Sequence, residues 1–198
     1  MALVDVRSQE VSCGISWSNE AEALVVRRII DGVVIGGGIG GSNCAVAESR
    51  IAVITPYDAQ RQLLKTTLGA GPQVSSVDAY QGREEDLVIV SMTRANDRAD
   101  TGFAKDPRRL NVALTRARRG LIVVGDINTL CARDTEGILT DFVTECVRRD
   151  LLLTGDLKPC HRIDPPRKRR RRHAARCHSF RLGSDAGYES VGSSTEVV

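Results

Sequence analysis

Aromatic residues make up only 4% of this 198-residue chain, too few for a nucleic-acid module built mainly on stacking platforms. Long apolar runs are missing too, and no uninterrupted stretch reaches the length a bilayer crossing needs. The opening MALVDVRSQEV has neither a basic leader nor a long apolar core, so no secretory signal is expected. The six cysteines (Cys13, Cys44, Cys131, Cys146, Cys160 and Cys177) include no C-x-x-C pair. That scatter is expected of reduced thiols in a cytosolic or nuclear protein rather than of a disulfide framework. Cys160-His161 with His173 and Cys177-His178 matches no common zinc spacing, so no metal site is expected.

Charge is present but unevenly placed. The net figure is +3, yet ten of the 28 Lys and Arg and only one of the 25 Asp and Glu lie between Lys158 and Arg181. That segment carries +9 and the remainder −6, a mildly acidic body with a strongly basic tail. Within the body, apolar or β-branched runs at 2–6, 51–55, 74–77, 87–92 and 121–124 alternate with helical spacing over 19–30, 59–68, 107–116 and 136–147. Ser18 is the expected N-cap of the first helix, and Asp106-Pro107 is a capping acid followed by proline at the first turn of the third. Strands that are nearly all apolar, alternating with helices, predict a parallel sheet covered on both faces. The α/β domain is expected over 1–150. From 151, and plainly from Lys158, prolines, the RKRRRR run and a small polar C-terminus predict a disordered basic tail to 198.

Gly36, Gly38 and Gly41 spell G-x-G-x-x-G after the apolar run 33–35, the pattern of a dinucleotide-binding turn. Only nine residues separate Gly41 from the next apolar run at Ile51, too few for the crossover helix of a βαβ unit. Thr55-Pro56 also stands where that pattern wants an acid for the ribose. Gly36 and Gly41 have the separation of a Walker A loop as well, but Ser42 and Asn43 occupy the places of its Lys and Ser/Thr. A surface loop is the expectation, and a dinucleotide-binding oxidoreductase is the weakest of three functional readings.

Three segments carry more: IAVITPYDAQR at 51–61, VSSVDAYQGREEDLVIVSMTRAN at 74–96 and DPRRLNVALTRARRGLIVVGD at 106–126. They resemble the second RecA-like lobe of superfamily-one helicases, in the branch that includes the nonsense-mediated-decay RNA helicase and related DNA and RNA helicases. SVDAYQGRE resembles motif V, RRLNVALTRAR motif VI, and ITPYDAQ the segment between motifs IV and V. SWSNEAEA upstream resembles a stretch that opens a helix in the same lobe. The resemblance implies an α/β, three-layer, parallel-sheet lobe of the P-loop NTPase type. Its nucleotide would be ATP with Mg²⁺, bound in a cleft against a first lobe in cis upstream or in trans.

The same resemblance implies roles for individual residues. Arg116 becomes the arginine finger, a role suited to a side chain that stays protonated and forks onto phosphate oxygens. Gln81, Gly82, Glu84 and Arg109 fall on the nucleotide side, with Arg109 and Arg116, seven apart, expected on one helix face. Residues 81–84 are expected beyond the carboxyl end of a strand. Thr55, Pro56, Tyr57, Ser76 and Asp78 fall beside a track for single-stranded RNA or DNA, where hydroxyls and backbone N–H groups suit phosphate contact; Tyr57 and Tyr80 serve equally well as packing residues.

A phosphate-binding lysine, an acid pair for magnesium and a motif IV arginine are not identifiable; Asp5, Asp31 and Asp126 head no acid pair. The chain alone is therefore expected neither to hydrolyse ATP nor to unwind a duplex. A non-catalytic nucleic-acid-binding or regulatory protein is the second reading. The basic run at 167–172 reads as a nuclear import signal or added phosphate affinity, which favours a nuclear over a cytoplasmic location. No membrane partner is expected.

Overall fold

In the computed structural model the described residues are 1–34, 46–132, 134 and 137–160. The elements follow as β1 (Ala2–Asp5), β2 (Val11–Cys13), β3 (Ser16–Ser18), α1 (Glu20–Val34), β4 (Ile51–Thr55), α2 (Asp58–Leu68) and β5 (Gln73–Ser76). After them come β6 (Glu85–Ser91), α3 (Pro107–Leu114), β7 (Ala117–Gly125), α4 (Ile127–Ala132), α5 (Ile138–Arg148) and β8 (Leu152–Thr154). Six strands form one sheet in the order β5-β4-β6-β7-β1-β8. Every neighbouring pair in it is parallel. The chain thus has the expected three-layer α/β, RecA-like arrangement.

The sheet is parallel because its strands are apolar on both faces. Side chains alternate across a strand, so consecutive apolar residues must enter two cores. Ala52 and Ile54 of β4, Val88 and Val90 of β6, Leu3 of β1 and Val123 of β7 pack with Leu110, Ala113, Leu130, Leu139 and Val143 of α3 to α5. Ile51, Val53, Leu87, Ile89, Val4, Ile122 and Val124 face the other way, onto Val26, Ile29 and Ile30 of α1 and Leu64 and Leu68 of α2. Each such fully buried aliphatic side chain contributes about 1.5–3 kcal/mol, so the two cores together fix the layer order.

Several boundaries differ from expectation. Asn19, not Ser18, caps α1: its Oδ1 accepts from the Glu22 amide at 3.1 Å, because Ser18 is still the last residue of β3. Helix α3 stops at Leu114, with Thr115 as its C-cap, two residues short of Arg116. Its start is as expected, since Asp106 accepts from the amides of Arg108 and Arg109 with Pro107 at the first turn. Strands β2, β3 and β8 and helix α4 were not expected; each has at most six residues, too few for a periodic pattern. Strand β8 pairs with β1, so the sheet continues past residue 150. Residues 161–198, including the basic run, and the glycines at 36, 38 and 41 lie outside the described residues. Gly32 to Val34 are the last turn of α1, so the apolar run that precedes those glycines enters from a helix and not from a strand.

Candidate functional site

A parallel sheet has two unlike edges, one where every strand starts and one where every strand ends. The register sorts the expected site residues between them. Thr55 ends β4 opposite Ser76, the end of β5, and Pro56, Tyr57 and Asp78 follow directly, so this group stands at the carboxyl edge. Glu84 precedes β6 and Arg116 precedes β7. The Glu85 amide donates to the Arg116 carbonyl at 3.1 Å and Glu85 faces Ala117, so Glu84 and Arg116 meet at the amino edge.

Residues 81–84 were expected together beyond the carboxyl end of β5; Gln81 lines a cleft with Asp78 there, but Glu84 does not stay at that end. Since β6 runs parallel to β5, the chain must return to the starting edge before β6 can begin. It does so across residues 77–84, pinned by Tyr80, which is only 1% exposed and packs with Leu110 and Ala113 of α3. The Arg83 guanidinium lies 5.3 Å from that ring. Gly82 turns the chain with φ +78°, and a Cβ there would meet nothing within 4 Å; backbone conformation alone requires glycine.

Arg109 and Arg116 do not share a helix face, because Arg116 lies beyond α3. Its Nε donates to the Val112 carbonyl at 3.0 Å and its Nη2 to Thr115 Oγ1 at 2.9 Å. No carboxylate among the described residues pairs with it. Glu84 lies 3.3 Å from Arg118, both about half exposed. An exposed pair of this kind contributes less than about 1 kcal/mol, so Glu84 is readily released. Arg109 instead belongs with Asp78, at 3.2 Å. Asp78, Gln81, Arg108 and Arg109 line a cleft of about 240 Å³ with Val77, Asp106 and Val112. The residues expected on the nucleotide side therefore divide, with Glu84 and Arg116 at the amino edge, Gln81 and Arg109 beside Asp78, and Gly82 in the crossing between them.

The hydroxyls of the carboxyl-edge group are engaged internally. Thr55 is fully buried with its Oγ1 3.2 Å from Thr93 Oγ1. The Tyr57 hydroxyl accepts from the Phe103 amide at 3.1 Å, and Ser76 Oγ accepts from the Ala79 amide at 3.3 Å. Pro56 is half-buried. What this edge presents is a braced backbone more than free side-chain donors.

Two buried polar hubs behind it escaped sequence reasoning. Arg94, its side chain 6% exposed, ion-pairs with Glu10 at 2.8 Å and Asp100 at 3.1 Å. Its guanidinium lies 4.5 Å from the Trp17 ring and 5.9 Å from that of Tyr57. Burial opposes the charge, but the hydrogen bonds to Glu10 and Tyr57 outweigh it and hold the pKa above the ordinary arginine value. Lys105, then the Gly102 amide, pulls Asp100 down to about 2. The second hub is Glu22, whose Oε2 accepts from Ser91 Oγ at 2.7 Å and the Thr93 amide at 2.9 Å. Gln60 joins it, donating to the Asn19 carbonyl at 3.1 Å and to Ser91 Oγ at 3.0 Å. Glu22 Oε1 is buried without a partner, and burial pushes the carboxyl up to about 8, against the hydrogen bonds from Ser91 and Thr93. The only sequence signal was that Asn19, Glu22 and Gln60 fall within SWSNEAEA and ITPYDAQ, and Arg94 within SMTRAN.

Asp5 and Asp126, which head no acid pair in the sequence, have local partners: Asp5 accepts from the Ile127 amide and Asp126 from that of Thr129. Among the described residues no cluster of three His, Cys, Asp or Glu could hold a metal ion, and no helix is long and apolar enough to cross a membrane.

A family model described as an AAA domain matches residues 1–128. The chain is 38% identical over 138 residues to the "Regulator of nonsense transcripts 1 homolog" of Neurospora crassa, covering 64% of this chain and 12% of that protein. It is 41% identical over 138 residues to the "ATP-dependent helicase NAM7" of Saccharomyces cerevisiae, covering 64% and 13%. With the "DNA polymerase alpha-associated DNA helicase A" of the same yeast it shares 40% identity over 117 residues, covering 57% and 16%. The chain thus spans between about an eighth and a sixth of the length of these curated relatives.

Proposed function

The chain belongs to the AAA-domain family, as a superfamily-one helicase lobe of the branch that includes the nonsense-mediated-decay helicase, and on that premise we propose that it is a motor's second lobe. In this reading it supplies an arginine finger to a nucleotide held against a first lobe, and part of the track for single-stranded RNA or DNA. The observation that carries it is Arg116: a guanidinium with no carboxylate partner among the described residues, beside Glu84 at the amino edge. With Nε on the Val112 carbonyl and Nη2 on Thr115, Nη1 is the nitrogen left to reach phosphate oxygens when two lobes face across that edge.

The amino edge fits one half of an ATP site. Arg116 stays charged at every physiological pH and offers donors in a rigid fork, so it stabilises charge as it develops without reorganising. Glu84, held only by an exposed pair, is placed to accept from a nucleotide hydroxyl, and Gly82 lets backbone approach. ATP with Mg²⁺ supplies the phosphoryl group and the metal's charge. The lysine and acid pair that would complete the clamp come, in this reading, from the first lobe. The track reading rests on the braced carboxyl edge with Pro56, Tyr57, Ser76 and Asp78, and on Gln81 and Arg109 in the adjoining cleft. The basic run 167–172 supports a nuclear location for the motor.

The test joins the chain to a first lobe, fused upstream or added in trans. The chain alone should show no strand-stimulated ATP hydrolysis, and the pair should. Arg116→Ala should then lower turnover by about 10³-fold or more with thermal unfolding unchanged, and Arg116→Lys should not rescue it. Turnover that survives Arg116→Ala overturns the finger. Strand binding that gains nothing from any first lobe favours the second reading, a binding or regulatory protein, which the basic segment supports.

A further inference from the structure

The β2–β3 hairpin takes no part in the six-stranded sheet and is not among the residues assigned to either edge. Its eight residues, VSCGISWS at 11–18, include no charged side chain. Ile15 in its turn is fully exposed, Val11 is 58% exposed and Cys13 is exposed. Val11 and Ile15 thus form an apolar tip on a segment with no charged residue, within a chain that is 27% charged.

The hairpin is rigidly seated at the carboxyl edge. Ser16 Oγ accepts from the Ala59 amide at 3.1 Å, at the first turn of α2. On the neighbouring position Trp17 lies against Arg94, which is fixed by Glu10 and Asp100 and borders Tyr57. Ser16 and Trp17 therefore hold the hairpin beside the start of α2 and Tyr57, with Ile15 at its exposed turn.

We propose that the Gly14–Ile15 tip contacts the bases of a single strand lying along the carboxyl edge, while that edge's backbone groups take the phosphates. A single strand presents a charged side and an apolar side. The hairpin lacks charge for the first and matches the second, since apolar side chains pack against unstacked bases. Arg94 serves as a positioning residue: its stack with Trp17 fixes the root of the hairpin. This inference rests on the strand-track reading above and adds to it which surface meets the bases.

The experiment uses the full 198-residue chain and two fluorescein-labelled strands of equal length, an oligouridine and its abasic counterpart. Anisotropy reports binding, and Trp17, the only tryptophan, reports the hairpin. The expected result is binding about three- to tenfold tighter to the base-bearing strand, with a change in Trp17 emission that the abasic strand does not produce. Ile15→Ser should remove most of that gap without altering the salt slope, which counts phosphate contacts. Ile15→Trp should widen it. Ile15 is fully exposed, so neither variant should shift the melting temperature. Equal loss on both strands, or none, overturns the inference and leaves strand binding intact. Binding of neither strand overturns the track reading and this inference together. Concentration-dependent self-association abolished by Ile15→Ser, with no strand effect, makes the tip a self-contact and also overturns it.

Discussion

Raising the pH from 5 to 9 should weaken the fold through one residue. Glu22 is enclosed at the start of α1, with one carboxyl oxygen bound by Ser91 and Thr93 and the other without a partner. Burial moves its pKa from the ordinary 4.5 up to about 8. Between those values the folded chain keeps a proton that the unfolded chain has released, so stability falls as pH rises. The loss begins near the ordinary glutamate pKa and is complete a little above pH 8. At 1.36 kcal/mol per unit its full size is about 3–5 kcal/mol, a large share of a domain's usual 5–15 kcal/mol. Asp100 and Glu145, each held near 2 by basic neighbours, act in the opposite sense, and their gain levels off by about pH 6. Urea midpoints taken across the pH range for the wild type and Glu22→Gln test the point. The glutamine variant should start about 1–2 kcal/mol lower at pH 5, because its amide brings unmatched donors to the orphan position. It should show little further loss until the buried thiols of Cys131 and Cys146, pushed up to about 12 and about 11, begin to weaken both proteins alike near the ordinary thiol pKa, and it should be the more stable protein by pH 9. Parallel curves for the two proteins would refute the reasoning.

Three further outcomes follow from particular contacts. Asp106→Ala should cost about 1 kcal/mol by urea unfolding, since Asp106 accepts from two amides at the start of α3. Gly102→Ala should cost about 2 kcal/mol and shift Trp17 emission: φ is +52° and a Cβ would stand 2.1 Å from the Tyr57 hydroxyl and 2.6 Å from Arg94 Nη1, a strained conformation in an occupied space. With iodoacetamide at pH 8, exposed Cys13 should label at once. Cys146, buried in the α5 core and pushed up to about 11 by burial, should label only on unfolding.

Much of this protein was determined by sequence alone. Consecutive apolar residues at 51–54 and 87–90 leave no polar face, so those strands had to be parallel and covered on both sides. Asp106-Pro107 fixed where α3 begins, because proline's missing N–H costs nothing at a first turn. Other features depended on contacts distant in the chain. The end of α3 at Leu114 is set by Arg116 joining β6, and α1 is capped by Asn19 because the hairpin claims Ser18. The crossing at Tyr80 follows from the direction of β6, and it sends Glu84 to Arg116's edge and Asp78 to the opposite one. Glu22 and Arg94 read locally as an ordinary helix-start acid and a loop arginine. Only the packing of α1, α2 and the hairpin over the strand ends encloses them, and enclosure, being a property of the assembled layers, has no signature in a run of neighbouring residues.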